Sequence, residues 1–429
     1  MTTFACQRCA GALTGYIAAF MLLTTPATSA IAEDWRGFRG PTGDGVAVEK
    51  SAPLKWSAED NIVWKAKLPQ PGNGSPIVVG DRVLVASAEN EQGTRRSLYC
   101  FDRKDGKQLW VATVDAPEMP THKTNPYCGS TPAANQDQVV VWHGSAGLFC
   151  YDLEGKELWR RNLGEFRHIW GYGTSPVIVQ DRVIMHCGPG KSLLIACLSL
   201  VDGKTIWEHH EPQEGDGNRN EAGKYVGSWS TPIIKTLDNR SQAICTMPTR
   251  VISLDTESGQ LLWHCDGVRG PKGDLAYSSP LVGEDICVVC GGFNGPSFAF
   301  RLGGAGDISA NRLWRREQNP QNIGTGLLMG KHYYMANAGP GTIQCLLAAS
   351  GEEVWEARGP GNMWGSMILI GDLAYVIGQN GDTLVFRPKP EEFQQVAVNK
   401  LGEPANTTPA LAHGQLFIRT SGHLWCVGE

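Results

Sequence analysis

Hydrophobic and polar positions alternate in short runs along most of the chain, and the runs are broken by Gly, Asp, Asn and Pro. The clearest example is residues 98–110, LYCFDRKDGKQLW. An apolar run from Leu98 to Phe101, a turn signal at Asp105-Gly106 and a second run ending on Trp110 predict a β-hairpin. Copies recur as LFCYDLEGKELW (148–159), ACLSLVDGKTIW (196–207), VISLDTESGQLLW (251–263) and IQCLLAASGEEVW (343–355). A lone hairpin cannot bury its own Trp, so the repetition predicts stacked units that bury it against one another. A second pattern precedes the first: GSPIVVGDRVLV (74–85), GTSPVIVQDRVIM (173–185), STPIIKTLDNRSQAIC (230–245) and SSPLVGEDICVV (278–289). It reads as strand, polar turn, strand, with Ser/Thr-Pro at the opening, where the missing proline N–H costs least. One unit is therefore four strands.

The hairpin tryptophans Trp64, Trp110, Trp159, Trp207, Trp263, Trp314 and Trp355 lie 41 to 56 residues apart, close to the roughly 40–50 residues of a four-stranded propeller blade. Long helical periodicity is missing. Residues 61–68, NIVWKAKL, match only the tail of a unit, while 408–429 supply a unit's first three strands and stop. An N-terminal strand at 62–68 completing the last blade closes the ring without free edges. The expected fold is all-β, an eight-bladed propeller of four-stranded antiparallel blades over 62–429, with openings near Ser75, Thr131, Ser175, Thr231, Ser279, Thr325, Ser366 and Thr408. In the seventh blade Ala397 stands where the others have Trp, so that interface is expected to pack less well.

Composition agrees. A single core stops growing near roughly 250–300 residues, but a propeller adds blades to a ring of small interfaces, so 429 residues fit one domain. There are 52 Gly, 25 Pro and 14 Trp against 19% charged residues, which is turn-rich and globular rather than disordered. A net charge of −5 with no basic run excludes a nucleic-acid surface. Residues 1–32 read as a signal peptide: Arg8, an apolar stretch from Ala10 to Leu23, and Ala30-Ile31-Ala32 as the cleavage pattern. No later segment approaches the roughly 18 apolar residues of a membrane span. The mature chain is expected to be a periplasmic or secreted monomer, its residues 33–61 an extension packed on the ring.

Of 13 cysteines, Cys6 and Cys9 belong to the leader. Cys100, Cys150, Cys197, Cys345 and Cys426 share one position of the repeat with Ser253 and Ala299, so they read as buried small residues and not as a disulfide framework. Cys287 and Cys290 have CxxC spacing within a strand, where they face opposite sides, and no metal site is expected. Cys128, in a loop, is the thiol expected to be reactive or paired.

The repeat with Cys100, Asp102, Gly106 and Trp110, repeated as Ser253, Asp255, Gly259 and Trp263, resembles the tryptophan-docking repeat of the quinoprotein (PQQ-repeat) eight-bladed propellers. That superfamily includes PQQ-dependent alcohol dehydrogenases and the non-catalytic BamB-type outer-membrane assembly proteins, and the likeness covers residues 35–429. Ser199 and Leu347 replace the Asp in two copies, and it is lost in the fifth. The resemblance implies a fold more than a reaction, because the repeat is a packing device. The dehydrogenases hold their quinone between a vicinal disulfide and a Trp, with calcium on acidic and amide side chains. This chain has no Cys-Cys pair, no C-x-x-C-H haem site, no G-x-S-x-G elbow and no H-E-x-x-H helix.

The connections between blades rim the channel of a propeller. Here they carry His122, Asn125, Tyr127, Arg167, His168, Trp170, Tyr172, Tyr225, Trp229, Tyr277 and Trp364, a set expected to converge on one mouth. Aromatics with Arg and Asn suit a peptide, a glycan or a planar ligand; rings that merely cap the blades are the alternative. Asp216, Asn218 and Asn220 have calcium-loop spacing but lack its Gly and its final Glu, so a solvated loop is expected. His209-His210 reads as solvent-facing. The sequence thus predicts a binding or scaffolding module for a protein, peptide or glycan, with no cofactor and no catalytic residue; a divergent quinoprotein oxidoreductase using PQQ and calcium is the alternative.

Overall fold

A computed structural model describes residues 1–5, 34–189, 193–212 and 219–428. The chain forms two units, Met1–Ile31 and Ala32–Glu429. Of the first, the described residues carry no regular structure, and the signal-peptide features lie outside the described residues, as do Asp216 and Asn218. The second is a ring of eight blades. Blade 1 comprises Ile77–Val79, Arg82–Ala88, Arg95–Asp102 and Gln108–Asp115, hydrogen-bonded in that order. Blades 2 to 7 follow at 133–161, 177–211, 233–266, 281–316, 327–358 and 368–400. In blade 8, three C-terminal strands are completed by Ile62–Lys67, paired antiparallel with His423–Val427. This is the all-β, N-terminally closed ring expected. Among the described residues no helix is long and apolar enough to cross a membrane.

The recurring small residue lies directly opposite the recurring Trp. Cys100 pairs with Trp110, Cys150 with Trp159, Cys197 with Trp207, Ser253 with Trp263, Ala299 with Trp314, Cys345 with Trp355 and Cys426 with Trp64. Behind Trp64, Trp110, Trp159, Trp207 and Trp314, the next blade brings the Gly of its third-to-fourth-strand turn; Gly203 (φ 69°) lies so close that a Cβ would stand 2.7 Å from the Trp159 ring. Gly is thus required both by its left-handed backbone and by the close approach. The indole N–H completes the dock by donating to a backbone carbonyl of that blade, as from Trp159 to Leu200 (2.8 Å) and Trp207 to Thr256 (3.1 Å). Trp263 differs, donating to Gln242 Oε1 within its own blade. Blade 5 has lost the Asp-Gly turn that would receive it, and Gly306–Asp307 instead adds a parallel fifth strand beside Trp263 and His264.

All eleven described cysteines are buried and unpaired. Cys287 and Cys290 pack into different apolar clusters, on opposite faces of their strand. The expectation for Cys128 is corrected: it lies in a loop but has no exposed surface and no disulfide partner among the described residues, and burial raises its thiol above the ordinary range, which lowers its reactivity.

Before the closing strand, the chain straps the ring. Trp35 and Arg36 accept through their carbonyls from Val78 in blade 1 and Ala134 in blade 2. Arg39, fully buried, donates to the carbonyls of Gly326 and Met367 at blades 6 and 7, and burial pulls its guanidinium down to about 10. Gly45 and Ala47 then bond Leu369. At the seventh interface, Asn399 holds Trp56 N–H and Leu54 C=O, and Trp56 is buried in one cluster with Val385, with Ala397 at its margin. The missing blade tryptophan is thereby made good from the strap.

Candidate functional site

The channel is held by a belt of hydroxyls. Seven of the eight blade-opening Ser and Thr residues accept a hydrogen bond from the backbone N–H of the preceding opener: Ser75 to Thr131 (3.0 Å), Thr131 to Ser175 (3.0 Å), Ser175 to Thr231 (3.1 Å), then Ser279 to Thr325 (3.0 Å), Thr325 to Ser366 (2.9 Å), Ser366 to Thr408 (3.0 Å) and Thr408 back to Ser75 (2.9 Å). The remaining link runs through Ser279 Oγ, which donates to the Thr231 carbonyl at 2.7 Å. The backbone approaches too closely for side chains here: a Cβ on Gly74 would lie 2.3 Å from Ser130 O. The sequence marks these openers, but as strand starts; their closure into a belt depends on neighbours that only the ring provides.

Above the belt lies a cavity of about 400 Å³, to which all eight blade-to-blade connections contribute. Asn406, Asn73 and Asn125 come from three successive connections, and Trp170, Trp229 and Tyr277 from the next three. Phe293, from a hairpin loop of blade 5, joins the rings; Gln321 and Trp364 complete the circle. Two short parallel strands, Tyr225–Ser228 and Gly273–Ala276, set Trp229 and Tyr277 side by side, ring centres 5.3 Å apart at 73°. Trp170 sits among them, 6.0 Å from Trp229, 6.1 Å from Tyr277 and 6.0 Å from Phe293.

The amides are held in place. Asn125 donates to the carbonyls of Trp170 (2.7 Å) and Tyr172 (3.2 Å) and accepts from Asn73 (3.0 Å); Asn73 and Asn406 both donate to Thr124 O. Among the described residues, the Gln321 amide, the Tyr277 hydroxyl and the indole N–H groups of Trp170 and Trp364 make no hydrogen bond, so they are open to a ligand. Burial pushes the Tyr277 hydroxyl far up, which keeps it a proton donor.

Of the residues expected at the mouth, His122, Asn125, Trp170, Trp229, Tyr277 and Trp364 line the cavity. His122 is exposed at the rim, its Nδ1 2.7 Å from Thr124 Oγ1. His168 is buried beside the Trp229 ring as a prop, edge-on at 4.9 Å, with Nδ1 accepting the backbone N–H of Trp170. Tyr225 backs Trp170 at 4.7 Å and is covered by Arg219. Arg167 is exposed and lies outside the lining. Tyr127 and Tyr172 lie outside the lining: they flank the buried Arg96 at 4.6 and 5.6 Å, where that cation, bonded to the carbonyls of Gly93, His143 and Pro117, draws the rings inward. Sequence reasoning missed Asn73, Phe293, Gln321 and Asn406. Asn73 and Asn406 each stand a residue or two before a blade opener, the one signal that pointed to them. His209 and His210 bond Glu211 and Glu208 respectively, and among the described residues no cluster of His, Cys, Asp or Glu is suited to a metal.

The family model described as outer membrane protein assembly factor BamB matches residues 37–127 and 95–357. Among solved structures, BamB from Moraxella catarrhalis is 16% identical, with a TM-score of 0.56 over 85% of this chain and 96% of that one. A quinohemoprotein alcohol dehydrogenase from Comamonas testosteroni is 13% identical, with a TM-score of 0.62 over 92% of this chain and 80% of its own. A europium-containing methanol dehydrogenase is 11% identical, with a TM-score of 0.55 over 92% and 98%. At these identities the likeness is one of fold. No curated protein sequence matches the chain.

Proposed function

The chain belongs to the family of the outer membrane protein assembly factor BamB, and from that premise we propose that it is an exported, non-catalytic binding module whose ligand, a protein, peptide or glycan, is taken in the aromatic mouth. The observation that carries this reading is the lining itself. Apart from the aliphatic Ile323, its side chains are aromatic rings, amides and hydroxyls, with His122 at the rim and no Asp, Glu, Lys or Arg among them. Such a surface recognises shape and hydrogen bonds, and it lacks the paired acid and base that a hydrolase or dehydrogenase needs.

PQQ and calcium do not fit this lining. The quinone carries three carboxylates, which call for cations, and calcium calls for a shell of oxygens rich in carboxylate; the cavity supplies neither. Titrating the mature protein with PQQ, with and without calcium, while following tryptophan fluorescence tests the reading. No saturable quenching is expected. Micromolar quenching by PQQ that disappears in Trp170→Ala overturns it in favour of a quinoprotein enzyme.

A further inference from the structure

The distribution of chemistry around the mouth narrows the ligand further, on the premise that the mouth is the binding site as proposed above. The rings and the amides are segregated: Trp170, Trp229 and Tyr277 come from consecutive connections on one arc, Asn406, Asn73 and Asn125 from the adjoining arc. A ligand seated between them meets electron-rich aromatic rings on one side and neutral donors and acceptors on the other. The main chain offers it little. The backbone N–H groups of seven blade openers are already taken by the hydroxyl belt and are not available to pair with a peptide backbone. No charge in the lining pairs with a chain terminus or an ionised side chain.

We propose that the mouth binds the end of a neutral glycan, one or two terminal sugar rings stacked by their C–H faces on the Trp170 wall and hydrogen-bonded through their hydroxyls by the opposing amides. The C–H face of a pyranose is weakly positive and suits the negative face of an indole. Hydroxyls need partners that both donate and accept. Asn73 Oδ1 accepts, Gln321 does both, and the indole N–H of Trp364 donates. Because Asn73 and Asn125 are already fixed by bonds to each other and to backbone carbonyls, seating the ligand orders few side chains.

Binding is end-on because the strap crosses the channel. It runs from Val78 and Ala134 of blades 1 and 2 to Gly326, Met367 and Leu369 of blades 6 and 7, and its Phe38 lines the cavity. At about 400 Å³ the cavity is near the small end of the range for ligand pockets, roughly 300–1,000 Å³. A glycan therefore enters by its terminus and is not threaded.

Linear neutral oligosaccharides of glucose, mannose, xylose and N-acetylglucosamine, one to six units long, are titrated into the full mature chain by calorimetry and tryptophan fluorescence. A cyclic glucan, which has no end, and an oligouronate, which is charged, serve as controls, with a peptide library beside them. At least one neutral series is expected to bind, its affinity rising to two or three units and then flat. The cyclic glucan and the oligouronate are expected to bind at least tenfold more weakly. Trp170→Ala should weaken binding at least tenfold, and the milder Gln321→Ala about threefold with an unchanged melting curve. Peptide binding at the mouth with no response to any glycan overturns the glycan inference and leaves the binding module standing. Equal affinity for the cyclic glucan overturns end-on entry. PQQ binding in place of both overturns the inference and the binding module together.

Discussion

At the scale of single residues, the belt turns eight side chains that look interchangeable into structural joints. Thr131 Oγ1 is the acceptor for the buried Ser75 N–H, so Thr131→Ala strands a donor and is expected to destabilise by about 1–3 kcal/mol, while Thr131→Ser keeps the oxygen and costs less. Urea denaturation midpoints of the two variants separate the hydroxyl from the lost methyl. Two buried histidines make stability depend on pH. Burial, with the Arg96 cation beside it, pulls the His143 imidazole from its ordinary 6.5 to about 3; burial pulls His186 to about 4, even though the Ser230 carbonyl favours its charged form. Both folded values lie below the unfolded one, so this stability is whole above about pH 6.5 and is lost as the pH falls towards 4 and 3. Neither ring nitrogen of His143 has a partner among the described residues. His143→Met is therefore expected to unfold at higher urea than the parent at pH 4.5, with the difference shrinking by pH 8.

At the scale of elements, the blade is a hairpin pair whose Trp faces a small residue on its own sheet and a Gly on the next. Periodicity and spacing revealed that much because the same physical demand recurs down the chain and prints the same letters each time. The expected weakness at Ala397 did not follow, since Trp56 reaches that interface from a segment without any repeat. Trp56→Ala should cost about 3–5 kcal/mol, more than its place in an irregular strap suggests, and hydrogen exchange should show the loss concentrated in 368–400. The mouth was only half legible for a related reason. Connections carry no period, so Trp170, Trp229 and Tyr277 stood out by residue type alone. Tyr127 and Tyr172 stood out equally, and only the placement of Arg96 decides that they turn inward. Phe293 and Gln321 gave no signal, because their approach to the channel is set by the ring's closure and not by their neighbours in sequence.

At the scale of the whole molecule, strap and closing strand tie the first part of the chain to blades 1, 2, 6, 7 and 8. A chain lacking residues 34–67 is expected to keep most of its strand content but to expose the edge of His423–Val427, and to self-associate through it; light scattering and far-UV circular dichroism report both. The closing strand has a further consequence, one of timing. Ile62–Lys67 leaves the ribosome ahead of all seven complete blades, yet its partner His423–Val427 is made only after them. Until then that strand has no ladder to join, and blade 8 exists only as two remote fragments whose meeting depends on the seven blades between them. Nascent chains are thus committed to a long wait with one open seam at each end, and any helper that shields those two edges during synthesis would govern the yield of native protein.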